Sequence, residues 1–341
     1  MITSVPDGTI TFPMLGEGFS FSPPSGFTLF GFTIYWYGVI IALGFLLAFI
    51  YVNYYRRYTG LGEDDYFDYL LAAVPSAVVC SRLYYVIFNF SLFKDNLLDI
   101  FNTRSGGLAI YGGVIGAALA IIIVSAIKKH PYKVVLDCAA PGLLIGQALG
   151  RWGNFMNREA FGVETEIFCR MGLTDSAGRT IYVHPTFLYE SLANLLGLLI
   201  IHLYTKKKGR RYDGQIFLFY VAWYGLVRVL IEGLRTDSLY IPNTDLRVSQ
   251  VLAGVSFLAA LFVLCYNGSV EHKPEKLYIN SAKKKTAEPA EIIDETTQSI
   301  PETDSETADT SPEIKEESTP AETLQNEESS KPSADDSAEN N

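Results

Sequence analysis

Four arginines and two glutamates stand in or at the ends of stretches that are otherwise apolar, where an ionisable side chain is costly and by default marks function or a buried pair. Arg228, Glu232 and Arg235 are spaced by four and three residues, so one face of a single helix carries all three. Arg228 and Glu232 alone could be a structural ion pair. Arg235 on the same face leaves surplus positive charge, which points to an anionic ligand, with lipid phosphate the abundant candidate. Arg151 opens the run Gly150-Arg151-Trp152-Gly153-Asn154-Phe155-Met156-Asn157-Arg158-Glu159-Ala160-Phe161-Gly162. Arginine's planar fork suits bidentate phosphate recognition, and asparagine amides supply neutral donors beside it. The competing reading is an interfacial turn with snorkelling arginines. Arg82 is a further cation within an apolar run, and Glu190 a further carboxylate, both Glu190 and Glu232 being read as partners of arginine.

Two glycine- and aromatic-rich motifs accompany these charges. Gly106-Gly107-Leu108-Ala109-Ile110-Tyr111-Gly112-Gly113 is followed by Gly116. Gly112 and Gly116 make a GxxxG face that ordinarily serves close helix packing, and the paired glycines around Tyr111 could let a head group or peptide backbone approach its hydroxyl. Tyr35-Trp36-Tyr37-Gly38 reads first as an interfacial aromatic belt.

The elements that hold these residues are legible from hydropathy. Seven stretches, near 32–55, 66–90, 108–127, 134–149, 187–204, 214–234 and 248–266, approach the ~20 apolar residues a bilayer-spanning helix needs. The first, third and seventh lack the polar stripe of a soluble helix. The fold class is therefore an all-α polytopic membrane protein with seven spans. Basic residues cluster at 56–57, at 128–133, at 206–211 and after 273, in alternate connections. The positive-inside rule then puts the N-terminus outside and the C-terminus in the cytoplasm. Arg82, Arg151, Arg228 and Arg235 fall toward the outer leaflet. The first 31 residues lack a basic n-region, so a cleaved signal peptide is not expected. The connection 151–185 is long enough for a small extracytoplasmic head.

Charge is unevenly divided. The chain of 341 residues has a net charge of −10, yet residues 286–341 hold 17 acidic and 2 basic residues, leaving 20 acidic and 25 basic in the body. Residues 271–341 are rich in Glu, Ser, Thr and Pro and cannot bury enough apolar area to fold, so a disordered acidic tail is predicted there, and deletion of residues 286–341 is expected to leave activity intact. The four cysteines have neither disulfide nor metal spacing, and free buried thiols are the plain account. A transporter would show inverted repeats and mid-membrane charges; an intramembrane protease would show a G-x-S-x-G elbow or paired aspartates. Neither pattern is present, and Asp137 has no evident partner in the sequence.

The stretch Gly150-Arg151-x-Gly153-Asn154-Phe155-x-Asn157-x-Glu159-x-x-Gly162 resembles the signature of the bacterial phosphatidylglycerol–prolipoprotein diacylglyceryl transferases. Trp36-Tyr37-Gly38, the Gly106 to Gly113 motif, His184-Pro185-x-x-Leu188-Tyr189-Glu190 and Tyr224-Gly225-x-x-Arg228-x-x-x-Glu232-x-x-Arg235 agree and follow the family's order, over residues 15–270. The resemblance implies an enzyme of the bacterial cell membrane that moves the diacylglyceryl group of phosphatidylglycerol onto the lipobox cysteine of a prolipoprotein signal peptide, forming a thioether and releasing glycerol 1-phosphate. It implies no metal, no cofactor and no nucleic-acid partner. Carried over residue by residue, Arg151 binds the lipid phosphate and Arg228 is the second essential cation, oriented by Glu232. Tyr37, Asn154, Glu159 and Gly162 match important positions, and Arg82, Arg235, His184, Tyr189 and Glu190 are supporting substrate contacts. Such chemistry needs a thiolate, whose pKa of about 8.5 falls beside positive charge, and a clamp for the departing phosphate. Two departures stand out. Tyr111 occupies a position where many members carry a histidine proposed as the base, and a phenol with a pKa near 10 is a poor base, so a hydrogen-bonding role is expected. Thr186-Phe187 replaces a common Ser-Gln pair.

Overall fold

The computed structural model describes residues 8–16, 18–94, 96–103 and 106–281. The acidic tail beyond 281, with the basic residues 283–285, and residues 104 and 105 lie outside the described residues. Among the described residues, seven helices are long and apolar enough to cross a membrane: α1 (Trp36–Tyr55), α2 (Glu63–Phe88), α3 (Ile110–Lys128), α4 (Tyr132–Asn157), α5 (Thr186–Lys208), α6 (Gln215–Glu232) and α7 (Val248–Ser269). α4 is the central helix, packed on α1, α5 and α6, while α3 packs on α2 and α7 on α6. Pro75 and Pro141 sit inside α2 and α4 without ending them, as packed neighbours in a membrane allow. The GxxxG face behaves as expected: a Cβ on Gly112 would collide with the Cys80 carbonyl and one on Gly116 with the Ser76 carbonyl, and Ser76 Oγ donates to the Gly116 carbonyl at 2.8 Å.

Two spans differ from their sequence reading in ways that matter for the site. The first helix begins only at Trp36, because 32–35 forms strand β4 (Phe32–Tyr35), hairpinned with β3 (Gly26–Leu29). α4 continues eight residues past its expected end at 149, so Arg151, Asn154 and Asn157 are helical side chains rather than residues of a turn. The head accordingly starts after Arg158. It also recruits the N-terminus: β1 (Thr9–Thr11) and β2 (Ser20–Phe21) join β5 (Met171–Thr174) and β6 (Thr180–Val183) in an antiparallel sheet of order β2-β1-β5-β6. Ile10 pairs with Leu173, and both are buried with Phe161, Met171, Val183 and Phe187.

At the opposite end of the bundle Asp137 does have a partner. It pairs with Arg210, 73 residues away, at 2.8 Å, with both side chains almost completely buried, and its oxygens accept from the backbone N–H groups of Gly214 and Phe217 that open α6. The body also extends beyond residue 270. Tyr278 packs into the cluster formed by Val52, Leu61, Tyr66 and their neighbours, its N–H donates to Asp213 at 3.1 Å, and Ile279 lies against Gly60. Deleting residues 286–341 should therefore leave the melting temperature in detergent unchanged. Truncation after residue 270 should lower stability by about 2 kcal/mol through loss of the Tyr278 contacts. Equal melting of the two truncations would contradict this.

Candidate active site

The last two turns of α4 present Arg151 and Asn154 toward the head. Tyr37, in the first turn of α1, lies against Gly153, where a Cβ would come within 2.7 Å of the phenol ring. Arg151 Nη1 donates to Asn154 Oδ1 at 3.1 Å, and Asn154 Nδ2 donates to Glu159 Oε1 at 2.8 Å. Asn157 Nδ2 reaches the same Glu159 oxygen at 3.4 Å. Glu159 can turn back onto its own helix because Arg158 and Ala160 take left-handed backbone conformations, with φ of 51° and 57°. Glycine is needed at 162, which bridges Arg235 and passes so close to His184 that a Cβ would lie 2.6 Å from its side chain.

Glu190, at the start of the second turn of α5, is the hub. Its Oε2 lies 2.8 Å from Arg151 Nη2 and 3.6 Å from Arg228 Nη1, and its Oε1 lies 3.4 Å from Arg235 Nη1. Arg228 also pairs with Glu232 at 2.5 Å, the helical partner its spacing predicts. Asp237, which the sequence reading did not single out, grips Arg235 with two contacts of 2.9 and 2.6 Å. Burial pushes the Asp237 carboxyl up, but the hydrogen bond and charge of Arg235 outweigh it and hold the group below the usual carboxylate range. Because the Asp237 carboxyl pKa is depressed, the pair contributes its full stability above the ordinary carboxylate range and loses it as pH falls through that range to the folded value.

The surplus positive charge expected on the α6 face is thus not a net surplus. Glu190 and Asp237, from outside that helix, balance the three arginines together with Glu232. What remains is an asymmetry of depth: the Glu190 and Glu232 side chains are 4% and 1% exposed, those of Arg151 and Arg228 20% and 14%. The carboxylates thus lie deeper than the guanidinium groups they hold.

Other predicted residues fall elsewhere. Arg82 does not join the arginine cluster. Its guanidinium donates to five backbone carbonyls, those of Asp99, Ile100, Asn102, Gly106 and Gly107, and so organises the α2–α3 connection. Gly106 and Gly107 serve that loop rather than an approach to Tyr111. Tyr111 is half-exposed at the rim of an apolar cavity of about 380 Å³ shared with Tyr84, Ile241, Val248 and Val251. His184 Nδ1 and Cys169 Sγ flank the Tyr189 hydroxyl at 3.4 and 3.5 Å, and burial lowers the His184 pKa, which keeps its ring neutral at pH 7. The Thr186-Phe187 departure is accommodated: Thr186 Oγ1 donates to the Ala160 carbonyl at 2.6 Å, and Phe187 stacks on Phe155 at 4.5 Å.

A model of the family described as prolipoprotein diacylglyceryl transferase matches residues 24–266, which include the whole constellation. The chain belongs to that family. It is 41% identical over 271 residues to the phosphatidylglycerol–prolipoprotein diacylglyceryl transferase of Enterococcus faecalis, covering 76% of this chain and 94% of that one. With the enzyme of the same name from Clostridium kluyveri it shares 43% identity over 248 residues, 71% of this chain and 96% of the relative. A Clostridium botulinum counterpart is 41% identical over 249 residues, 72% and 98% respectively. This transferase family member is thus a multi-pass protein of the bacterial cell membrane, in which the matched segment runs from before α1 into the last turn of α7 and does not reach the acidic tail.

Proposed function

We propose that this chain transfers the diacylglyceryl group of phosphatidylglycerol to the lipobox cysteine thiol of prolipoproteins, the first step of lipoprotein maturation. The observation that carries this reading is the Glu190 carboxylate holding Arg151 and Arg228 side by side, with both guanidinium groups less buried than the carboxylate between them. Sulfur attacks the glyceryl carbon attached to the phosphate. The S–C bond forms as the C–O bond breaks, the electron pair of that bond passes to the phosphate oxygen, and the thiol proton leaves with the glycerol 1-phosphate. Arg151 and Arg228 grip the phosphate and stabilise the charge that grows on it. Glu190, Glu232 and Asn154 orient those two cations, Glu159 fixes Asn154, and Gly162 and Arg235 join the head to α6 at the back of the site.

The basic connections at 56–57, 128–133 and 206–211 lie at the helix ends away from the arginine cluster, which supports an N-terminus outside and a site facing the outer leaflet. Tyr111 touches the lipid at the apolar rim through its ring and hydroxyl. Replacing Tyr111 with Phe should leave transfer within about fivefold of wild type, whereas loss of an obligatory base costs 10²–10⁴-fold. The decisive experiment for the function follows labelled diacylglyceryl from phosphatidylglycerol to a lipobox peptide with purified protein, together with release of glycerol 1-phosphate. Background-level transfer, under conditions in which the Enterococcus faecalis relative is active, overturns the proposal.

A further inference from the structure

Helix α6 starts behind a glycine, and Gly214 has no side chain to satisfy the free N–H groups of the first turn. A carboxylate from another helix does so instead. Asp137 Oδ2 accepts from the Gly214 N–H at 2.7 Å, and Asp137 Oδ1 accepts from the Phe217 N–H at 2.9 Å. Negative charge is favourable at that end of a helix. Arg210 balances it at 2.8 Å and is itself held by Asp213 at 3.1 Å and by the Thr59 carbonyl at 3.1 Å. Asp137 and Thr59 are 0% exposed. Neither phosphate binding nor thiol attack touches this cluster.

Its place along the helices gives it a use. α4 and α6 pack on one another, and both run from this end toward the arginine cluster. Arg151 lies fourteen residues beyond Asp137 on α4, and Arg228 lies fourteen residues beyond Gly214 on α6. At ~1.5 Å per residue both helices rise ~21 Å from the same latch. Both arginines then reach Glu190 Oε2, Arg151 at 2.8 Å and Arg228 at 3.6 Å. The site end holds α6 lengthwise less firmly. Glu232, the other partner of Arg228, belongs to α6 and moves with it. The contacts of Tyr220 with Gln147, of Trp223 with the Ala193 carbonyl and of Arg235 with Glu190 run through long side chains that can follow a shift. At the latch, two backbone N–H groups meet a carboxylate on a single methylene. A slip of one residue, ~1.5 Å, has no flexible stem there to absorb it.

We infer that Asp137 is a positioning residue for the transfer reaction: by capping α6 from α4 it sets the lengthwise register of two parallel helices and brings Arg228 level with Arg151, ~21 Å away. This inference rests on the transferase reading above. The test uses the full chain in lipid–detergent micelles, with initial rates expressed per folded protein. Asp137→Asn keeps the volume but offers one acceptor oxygen to two N–H groups, and kcat should fall by about 10²-fold, the cost of a misplacement of about 1 Å. Arg210→Lys keeps the carboxylate, its two N–H bonds and a cation beside it. That variant should melt earlier yet hold kcat within about threefold of wild type. The deciding comparison repeats Asp137→Asn in the background Arg228→Ala/Glu232→Gln. With the positioned guanidinium gone, the same change should cost less than about threefold. Distant sites that share no partner ordinarily act independently, so a merely structural aspartate would give the same factor in both backgrounds. Equal factors, or an undiminished kcat in Asp137→Asn, overturn the inference. If Asp137→Asn does not fold, Asp137→Asn/Arg210→Met removes both charges of the pair and carries the same comparison. Wild-type protein that transfers no label at all counts against the transferase reading itself.

Discussion

Replacing Glu190 with glutamine should cost more than any other single loss of a carboxylate in the molecule. Its two oxygens serve Arg151, Arg228 and Arg235 at 2.8 to 3.6 Å, and its side chain is 4% exposed. Glutamine keeps the shape but cancels the charge, leaving three partly buried guanidinium groups to repel one another. Breaking a buried ion pair from one side typically costs 3–5 kcal/mol, because the remaining charge is left unpaired. Two effects follow together. The melting temperature in detergent drops, and transfer falls by at least about 10²-fold because Arg151 and Arg228 no longer share one position. Phosphatidylglycerol in excess should raise the melting temperature of the variant more than that of wild type, since the lipid phosphate would replace part of the missing negative charge. A variant with near wild-type melting and near wild-type transfer would exclude Glu190 as the hub.

Much of this arrangement is legible in the sequence, and the limits have physical causes. Charges in apolar runs identify Arg151, Glu190, Arg228, Glu232 and Arg235, because a membrane penalises each one that is not paired or used. The i, i+4 pair Arg228–Glu232 follows from spacing alone. The net charge of the site does not, since Glu190 sits on a different helix from Arg228 and Asp237 lies beyond the end of α6. Arg-x-Asp at 235–237 was a local signal that could have revealed the second of these. Arg82 shows the opposite error: a buried arginine is as well satisfied by five carbonyls of a loop as by an anion, and the sequence of that loop does not announce its shape.

Hydropathy places the helices to within a few residues except at two of their ends. Residues 32–35 are as apolar as the span that follows, so only the hairpin with β3 separates them from α1. The polar run 150–157 reads as a loop by hydropathy and folds as helix because its polar residues bond to one another and to the head rather than to lipid. Strand β1 pairs with β5 more than 150 residues away, and three residues of strand carry no periodicity that could forecast it. Asp137–Arg210 belongs to the same class: a long-range polar contact whose two halves are separately unremarkable in sequence.

Removing the phosphate clamp should silence the enzyme without dismantling it, provided the buried carboxylate is removed as well. Arg228→Ala leaves Glu232, 1% exposed, with a buried charge and no cation. Its inactivity alone could therefore reflect misfolding. The double variant Arg228→Ala/Glu232→Gln removes both charges of the pair and should recover most of the melting temperature lost by the single variant, as neutral replacement of a whole buried pair often does. Transfer should stay down by about 10³-fold in both, roughly 4 kcal/mol of transition-state stabilisation, because no other cation reaches the position of that guanidinium. Arg228→Lys should recover little, since a single ammonium cannot span Glu190, Glu232 and a phosphate together. Arg151→Ala should match the loss in transfer. Initial rates with labelled phosphatidylglycerol, set beside thermal melts of the same preparations, separate the two quantities. A double variant that regains transfer along with stability would reduce Arg228–Glu232 to a structural ion pair and leave Arg151 alone as the phosphate ligand.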